Sequence, residues 1–244
     1  MRHHVIDYHC HLLPGFDDGA ADLDESLAMA RLLVAAGMVE VHCTPHCIHG
    51  VYQHSPAQVL AAVTSLQTEL EGQGIPLRLR PGMEYYLDEF FPRQLDDPLP
   101  LGETRMLLVE APSQSDPQRL RANLLLISRK GLIPLFAHPE RCRLLDEEDA
   151  GGELWGRLRQ ISGWHRAKSR GEGSLLTRIM NEGVLLQGNL GSFAGHYGAG
   201  VRQRALVLAR AGRYHCFGSD AHNPVALQGF LAAGMQVAQS FTRQ

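Results

Sequence analysis

Two short patterns bracket the chain: His9-Cys10-His11 near its start and Asp220-Ala221-His222 near its end. Alternate residues of an extended strand share a side, about 6.6 Å apart along the backbone, so both members of each pair can reach a single ion. Asp18, His46, Glu84, Glu110 and His138 complete a set of nine candidate ligands, five imidazoles and four carboxylates. Zinc sites commonly use three or four protein ligands, so more than one metal is expected. A set without thiolate favours Mn, Fe or Zn over copper or an iron–sulfur cluster.

Four carboxylates set against three divalent ions leave the site at about +2, a match for a phosphate dianion, and closely spaced ions can both generate hydroxide and hold phosphoryl oxygens. Arg141, three residues after His138, adds a planar cation suited to bidentate contact with phosphate. Phosphoester hydrolysis by metal-activated hydroxide is the expected reaction. Cysteine chemistry is not expected, because a cysteine phosphatase needs an Arg six positions after its nucleophile. The positions six after the five cysteines hold Phe16, His49, Gln53, Glu148 and His222. No Walker loop or dinucleotide fingerprint occurs, and the stretch 188–192 lacks the Gly-x-Ser-x-Gly spacing of a nucleophile elbow.

Elements must bring these distant residues together. Short apolar runs at 5–9, 39–44, 77–83, 106–110, 133–137, 184–189 and 214–219 read as strands, and 23–36, 56–71, 118–130, 175–181 and 201–211 read as helices. Gly37, Gly72, Gly131, Gly183 and Gly212 stand where helix C-termini favour glycine. Strand and helix alternate as in βα units feeding a parallel sheet or barrel. In such a barrel all strand C-termini meet at one face, and nearly every candidate ligand lies at such an end.

The 244 residues are 44% hydrophobic, enough for a substantial core, and are expected to form one domain. Lys and Arg total 23 against 26 Asp and Glu, a net charge of -3 that does not describe a large nucleic-acid surface. No apolar stretch approaches the ~20 residues of a spanning helix, and charge appears too early for a signal-peptide core. A soluble cytoplasmic protein without membrane insertion is expected. Five cysteines without Cys-x-x-Cys spacing argue against a disulfide framework or zinc finger.

Thr44-Pro45-His46, Gly82-Met83-Glu84, His138-Pro139-Glu140-Arg141 and Ser219-Asp220-Ala221-His222, with His9-Cys10-His11, resemble the metal motifs of the PHP (polymerase and histidinol phosphatase) superfamily. The strings at 9–20, 107–110 and 187–193, followed by Gly195 and Tyr197-Gly198, resemble more specifically its CpsB/YwqE group. The resemblance implies an α/β fold, a distorted seven-stranded (β/α) barrel, with a trinuclear centre that is often manganese-dependent. It implies a protein-tyrosine phosphatase acting on the phosphotyrosine tail of a bacterial tyrosine kinase that governs capsule or exopolysaccharide export. Carried over, His9, His11, Glu84 and Asp220 would hold one ion, Glu84 bridging to a second held by Glu110 and His138. Asp18, His46 and His222 would complete a third site, and Arg141 would bind the transferring phosphate.

Two departures stand out. The Arg that the group often carries after its final Asp-x-His is replaced by the run Asn223-Pro224-Val225-Ala226-Leu227, leaving Arg202 and Arg204 as substitutes. The segment 146–173 reads as a surface insertion, acidic at 146–149 and then basic at Arg157, Arg159, Arg166, Lys168 and Arg170, a charge pattern that could contact an acidic tail but is also that of a solvated face. Tyr52, Tyr85, Tyr86 and Phe193 could rim the pocket for an aryl ring or equally serve as core or wall residues. His3, His4, His42, His49, His54, His165, His196 and His215 read as surface or packing residues, and Cys10, Cys43 and Cys216 as small core residues. The alternatives are a small-molecule phosphomonoesterase such as a histidinol phosphatase, and a non-catalytic metal-binding barrel.

Overall fold

The structure is a computed structural model describing residues 5–112, 114–145 and 174–242; the expected insertion at 146–173 and its basic residues lie outside them. The elements run β1 (Val5–Cys10), α1 (Leu23–Ala35), β2 (Met38–Cys43), β3 (His46–Cys47), α2 (Pro56–Gly72), β4 (Arg78–Pro81), β5 (Glu84–Tyr86) and the short α3 (Phe91–Gln94). They continue with β6 (Met106–Glu110), α4 (Pro117–Arg129), β7 (Ile133–Ala137), two 3-10 turns (Pro139–Arg141 and Arg143–Leu145), α5 (Leu175–Asn181) and β8 (Leu185–Asn189). Last come α6 (Leu190–Ala194), α7 (Ala199–Arg210), β9 (Cys216–Gly218) and α8 (Pro224–Thr242).

Every strand pair is parallel, in the orders β1-β2-β4 and β3-β5-β6-β7-β8-β9. The expected strands at 39–44 and 77–83 are each interrupted and resume as β3 and β5, which splits one curled sheet into two ladders. Pro45, with no N–H to give a ladder, stands at the first break. The curl returns on itself where the end of β1 meets the chain beyond β9: Asp220 N donates to His9 O at 2.7 Å and His11 N to Ala221 O at 3.0 Å. Asp7 fastens the seam, its Oδ1 accepting from Ser219 N at 2.8 Å. Gly218 is required there, because a Cβ would stand 2.6 Å from His9 Cβ.

Helices cover the outside of the curl. Leu27, Met29 and Leu33 of α1, Val59, Val63 and Leu70 of α2, and Leu120, Leu124 and Ile127 of α4 are buried in one core with Leu107 and Val109 of β6. Leu108, on the opposite face of β6, belongs to a smaller cluster with Leu101, Leu135, Ala137 and Cys216, and Glu110 ends that same face. Helix starts follow their caps: Asp22, Ser55 and Asp116 accept from the N–H three residues on, and Pro56 and Pro117 open α2 and α4. Gly37, Gly131, Gly183 and Gly212 take positive φ just past helix ends as expected, but Gly72 is helical and Gly74 (φ 65°) takes that role instead.

Candidate metal centre

All nine candidate ligands meet at the carboxyl rim of the sheet. Glu84 is their hub. Its Oε2 lies 3.2 Å from His9 Nε2, 3.5 Å from His11 Nε2 and 3.0 Å from His46 Nδ1, while Oε1 lies 3.1 Å from His138 Nε2. Asp220 Oδ1 lies 3.3 Å from Nε2 of both His9 and His11. Glu110 stands 3.4 Å from His46, and Asp18 stands 3.5 Å from both His46 and His222. By proximity the groups are His9, Glu84, His138 and Asp220; His46, Glu84 and Glu110; and His11, Asp18, His46 and His222. This grouping moves His11 toward the Asp18 set and His138 toward the His9 set, relative to the division the resemblance implies.

The donors fit metal. His9 Nδ1 faces Gln187 Oε1 at 3.0 Å, and Gln187 Nε2 donates to Gly188 O at 2.7 Å, which fixes the amide so that its oxygen must accept from His9. His11 Nδ1 faces the Asp17 carboxylate at 2.6 Å. Both imidazoles thus donate from Nδ1 and turn their Nε2 atoms toward each other at 3.1 Å, each within 3.2–3.5 Å of Glu84 and 3.3 Å of Asp220, a donor set that fits a cation at its centre. Buried Glu84 Oε2 and His46 Nδ1 face each other at 3.0 Å without the angles of a hydrogen bond.

The local field favours positive charge at these rings. Burial alone would lower His9 and His11, yet Glu84 and Asp220 raise His9, and Asp17 chiefly raises His11 well above its ordinary value. Burial would raise Glu84 and Asp220, but His9 beside both holds them well below the carboxylate range. Glu110 is pushed up to about 8 by burial and by the neighbouring charge of Glu84.

Arg141 closes one side. Its Nη1 lies 2.6 Å from Asp220 Oδ2, and Asn189 Nδ2 donates to the same oxygen at 2.8 Å. The Tyr197 ring covers the guanidinium, with its carbon 4.5 Å from the ring centroid. Glu140, buried under this loop, accepts from Asn189 N at 3.0 Å and from the Tyr214 hydroxyl at 2.9 Å. Arg202 and Arg204, the expected substitutes for the missing family arginine, donate instead to Phe193 O and Glu140 O. Arg204 thereby braces the turn that carries Arg141.

Four of these supports, Asp17, Gln187, Asn189 and Glu140, were not singled out as site residues by sequence reasoning, although each lies in a stretch that carries the resemblance: 9–20 for Asp17, His138–Arg141 for Glu140, and 187–193 for Gln187 and Asn189. Of the four aromatics, Tyr85 and Phe193 take the core alternative, 1% and 0% exposed. Tyr52 does reach the site, stacked on His46 with centroids 5.9 Å apart. His49 packs on Phe90, His54 on Phe16 and His196 on Phe230, as bystanders should. Cys10, Cys43 and Cys216 are buried.

Fold and site together define a parallel α/β protein with a cluster of His, Asp and Glu at its carboxyl rim. The chain belongs to the family described as capsular polysaccharide synthesis, CpsB/CapC, whose model matches residues 5–156. It is 34% identical over 224 residues to the tyrosine-protein phosphatase YwqE of Bacillus subtilis (strain 168), covering 90% of this chain and 78% of that protein. It is 25% identical over 146 residues to the tyrosine-protein phosphatase CpsB of Streptococcus agalactiae, covering 59% of this chain and 60% of that one. Among solved structures it is similar to one from a study of YwqE from Bacillus subtilis and CpsB from Streptococcus pneumoniae, described as unique metal-dependent tyrosine phosphatases. That match has a TM-score of 0.76 at 32% identity and covers 98% of this chain and 86% of the other.

Proposed function

We propose that this protein is a metal-dependent phosphotyrosine-protein phosphatase whose nine rim residues, His9, His11, Asp18, His46, Glu84, Glu110, His138, Asp220 and His222, hold three divalent ions, Mn by preference with Fe or Zn as alternatives. The observation that carries the reading is the convergence of His9 and His11 Nε2, 3.1 Å apart, on the carboxylates of Glu84 and Asp220. Bound there, divalent ions supply the Lewis acidity that activates water and neutralises phosphoryl oxygens.

The chain's own groups do the rest. Glu84 spans the groups and fixes their spacing. Arg141, partly exposed beside the cluster, presents N–H groups to the transferring phosphoryl oxygens and orients them. Tyr52, on the far side at His46, offers a face to the aryl ring of the substrate. The substrate class is the phosphotyrosine tail of a bacterial tyrosine kinase linked to capsule or exopolysaccharide export, which suits the family and the named activities of the relatives. Five free thiols suit a reducing cytoplasm, and among the described residues no helix is long and apolar enough to cross a membrane. The chain is read as one domain, since a single core cluster joins Cys10 to Ala238.

The deciding experiment is turnover by protein reloaded with Mn, Fe(II) or Zn on a phosphotyrosine peptide, the matching phosphoserine peptide and histidinol phosphate. Phosphotyrosine should be favoured on the order of 100-fold or more, because a short phosphoserine cannot carry its phosphate to a recessed centre. Equal rates on the two peptides, or a preference for histidinol phosphate, would overturn the assignment.

A further inference from the structure

The doublet Asp17-Asp18 divides into two unlike halves. The Asp18 side chain is 56% exposed and faces His46 and His222, whereas the Asp17 side chain is 1% exposed and turned away from the cluster. Asp17 Oδ2 lies 2.6 Å from His11 Nδ1 and accepts from His46 N at 2.8 Å; Oδ1 accepts from Gly19 N at 2.9 Å. One carboxylate therefore holds the ring of His11, the backbone of His46 and the turn that carries Asp18. The remaining member of the group, His222, stacks on the His11 ring at 4.0 Å.

We propose that Asp17 is the positioning residue of the His11–Asp18–His46–His222 group, ordering its members and fixing the Nδ1–H form of His11 without touching metal or substrate. The inference rests on the metal reading above. All three partners of Asp17 are donors, so only a carboxylate accepts from all of them. An Asn of the same shape must turn its NH2 toward either Gly19 or the His11 and His46 side, and in either orientation a buried donor loses its acceptor. Facing His11, that NH2 would also hold Nδ1 as an acceptor and move the proton onto Nε2, the atom meant for metal.

The test is Asp17→Asn beside wild type and Asp18→Ala. Metal content is measured after gel filtration, Mn affinity by calorimetry, and activity across Mn concentrations. Asp17→Asn should resemble Asp18→Ala in weakening one ion by about 10–100-fold while the others stay bound. Excess Mn should restore its kcat to within a few-fold. An unchanged ion count and affinity in Asp17→Asn would overturn the inference while the metal reading stood; a wild type that binds no metal would overturn both. Should the variant fail to fold, zinc-loaded wild type decides: nitrogen–proton correlation spectra should show His11 protonated at Nδ1 and bare at Nε2, and a proton on Nε2 would refute the proposal.

Discussion

Arg141 and Asp220 are joined at 2.6 Å through the Asp220 oxygen that faces away from the metal cluster, while the other oxygen of the same carboxylate faces His9 and His11 at 3.3 Å. A single side chain thus couples the cation proposed for phosphate to the imidazoles proposed for metal. The sequence alone assigns Arg141 to phosphate; the geometry adds a hold on a ligand.

Arg141→Lys separates the two roles. A lysine can pair with Asp220 or reach a substrate oxygen, but it has no planar fork to do both. The expected kcat/KM falls by on the order of 100-fold, and Mn affinity by about 10-fold, the smaller loss because Asn189 keeps its bond to Asp220. Steady-state kinetics and calorimetry on one preparation read both numbers. Wild-type values in each would remove Arg141 from the site.

Glu84→Gln should be the most damaging isosteric change. The side chain is fully buried and its two oxygens reach four imidazoles. Metal content should drop by more than one ion per chain and activity by roughly 1,000-fold or more, and the metal-free melting temperature should fall as well, because four imidazoles lose the carboxylate they face. A variant that kept every ion, by elemental analysis, would show that Glu84 is not shared.

Tyr197 should matter through its ring more than its hydroxyl. Loss of the stack over Arg141 in Tyr197→Leu is worth on the order of 1 kcal/mol, a several-fold fall in kcat/KM. Tyr197→Phe keeps the ring and should lose less. The reverse ranking of the two variants would assign the role to the hydroxyl.

His42 predicts acid sensitivity away from the site. It is 4% exposed, stacked on Tyr8 at 5.2 Å, with Glu40 4.0 Å from Nε2 and Arg80 nearby. Burial, with Arg80 adding to it and Glu40 opposing, lowers its pKa from 6.5 to about 4. A folded pKa below the unfolded one means that the unfolded chain binds the extra proton, so stability falls as pH drops from 6.5 toward 4 and levels off below. The full effect is on the order of 3 kcal/mol. Melting curves of the metal-free protein from pH 7.5 to 4 should slope less in His42→Gln than in wild type; parallel slopes would count against it.

Strand-end chemistry was legible because strands place their ends on one rim, so residue type and position suffice for His9, Glu110 and Asp220. Helix α8 escaped the sequence reading although Leu227, Phe230, Leu231, Met235 and Ala238 are buried at helical spacing. Gly229 and Gly234 disguise it; Gly234 is there because any Cβ would strike the backbone of Leu190 in α6. The supports Gln187, Asn189 and Glu140 answer to contacts across strands, which no linear spacing encodes. Tyr85 and Phe193 stayed open between rim and core for the converse reason, since an aromatic near a strand end can face either side.

Two of the ligand positions, His138 (φ 36°) and Asp220 (φ 52°), carry side chains on backbone in the left-handed region. Such a conformation costs about 1–2 kcal/mol for His138 and less for Asp220, since Asp enters this region more readily, and the curl tolerates both at its rim. Glycine would sit there without strain. At residue 138 it would also give up a buried ring, its stack on His9 and its contact with Glu84, a larger loss than the strain relieved, so heat resistance and turnover both keep the strained histidine.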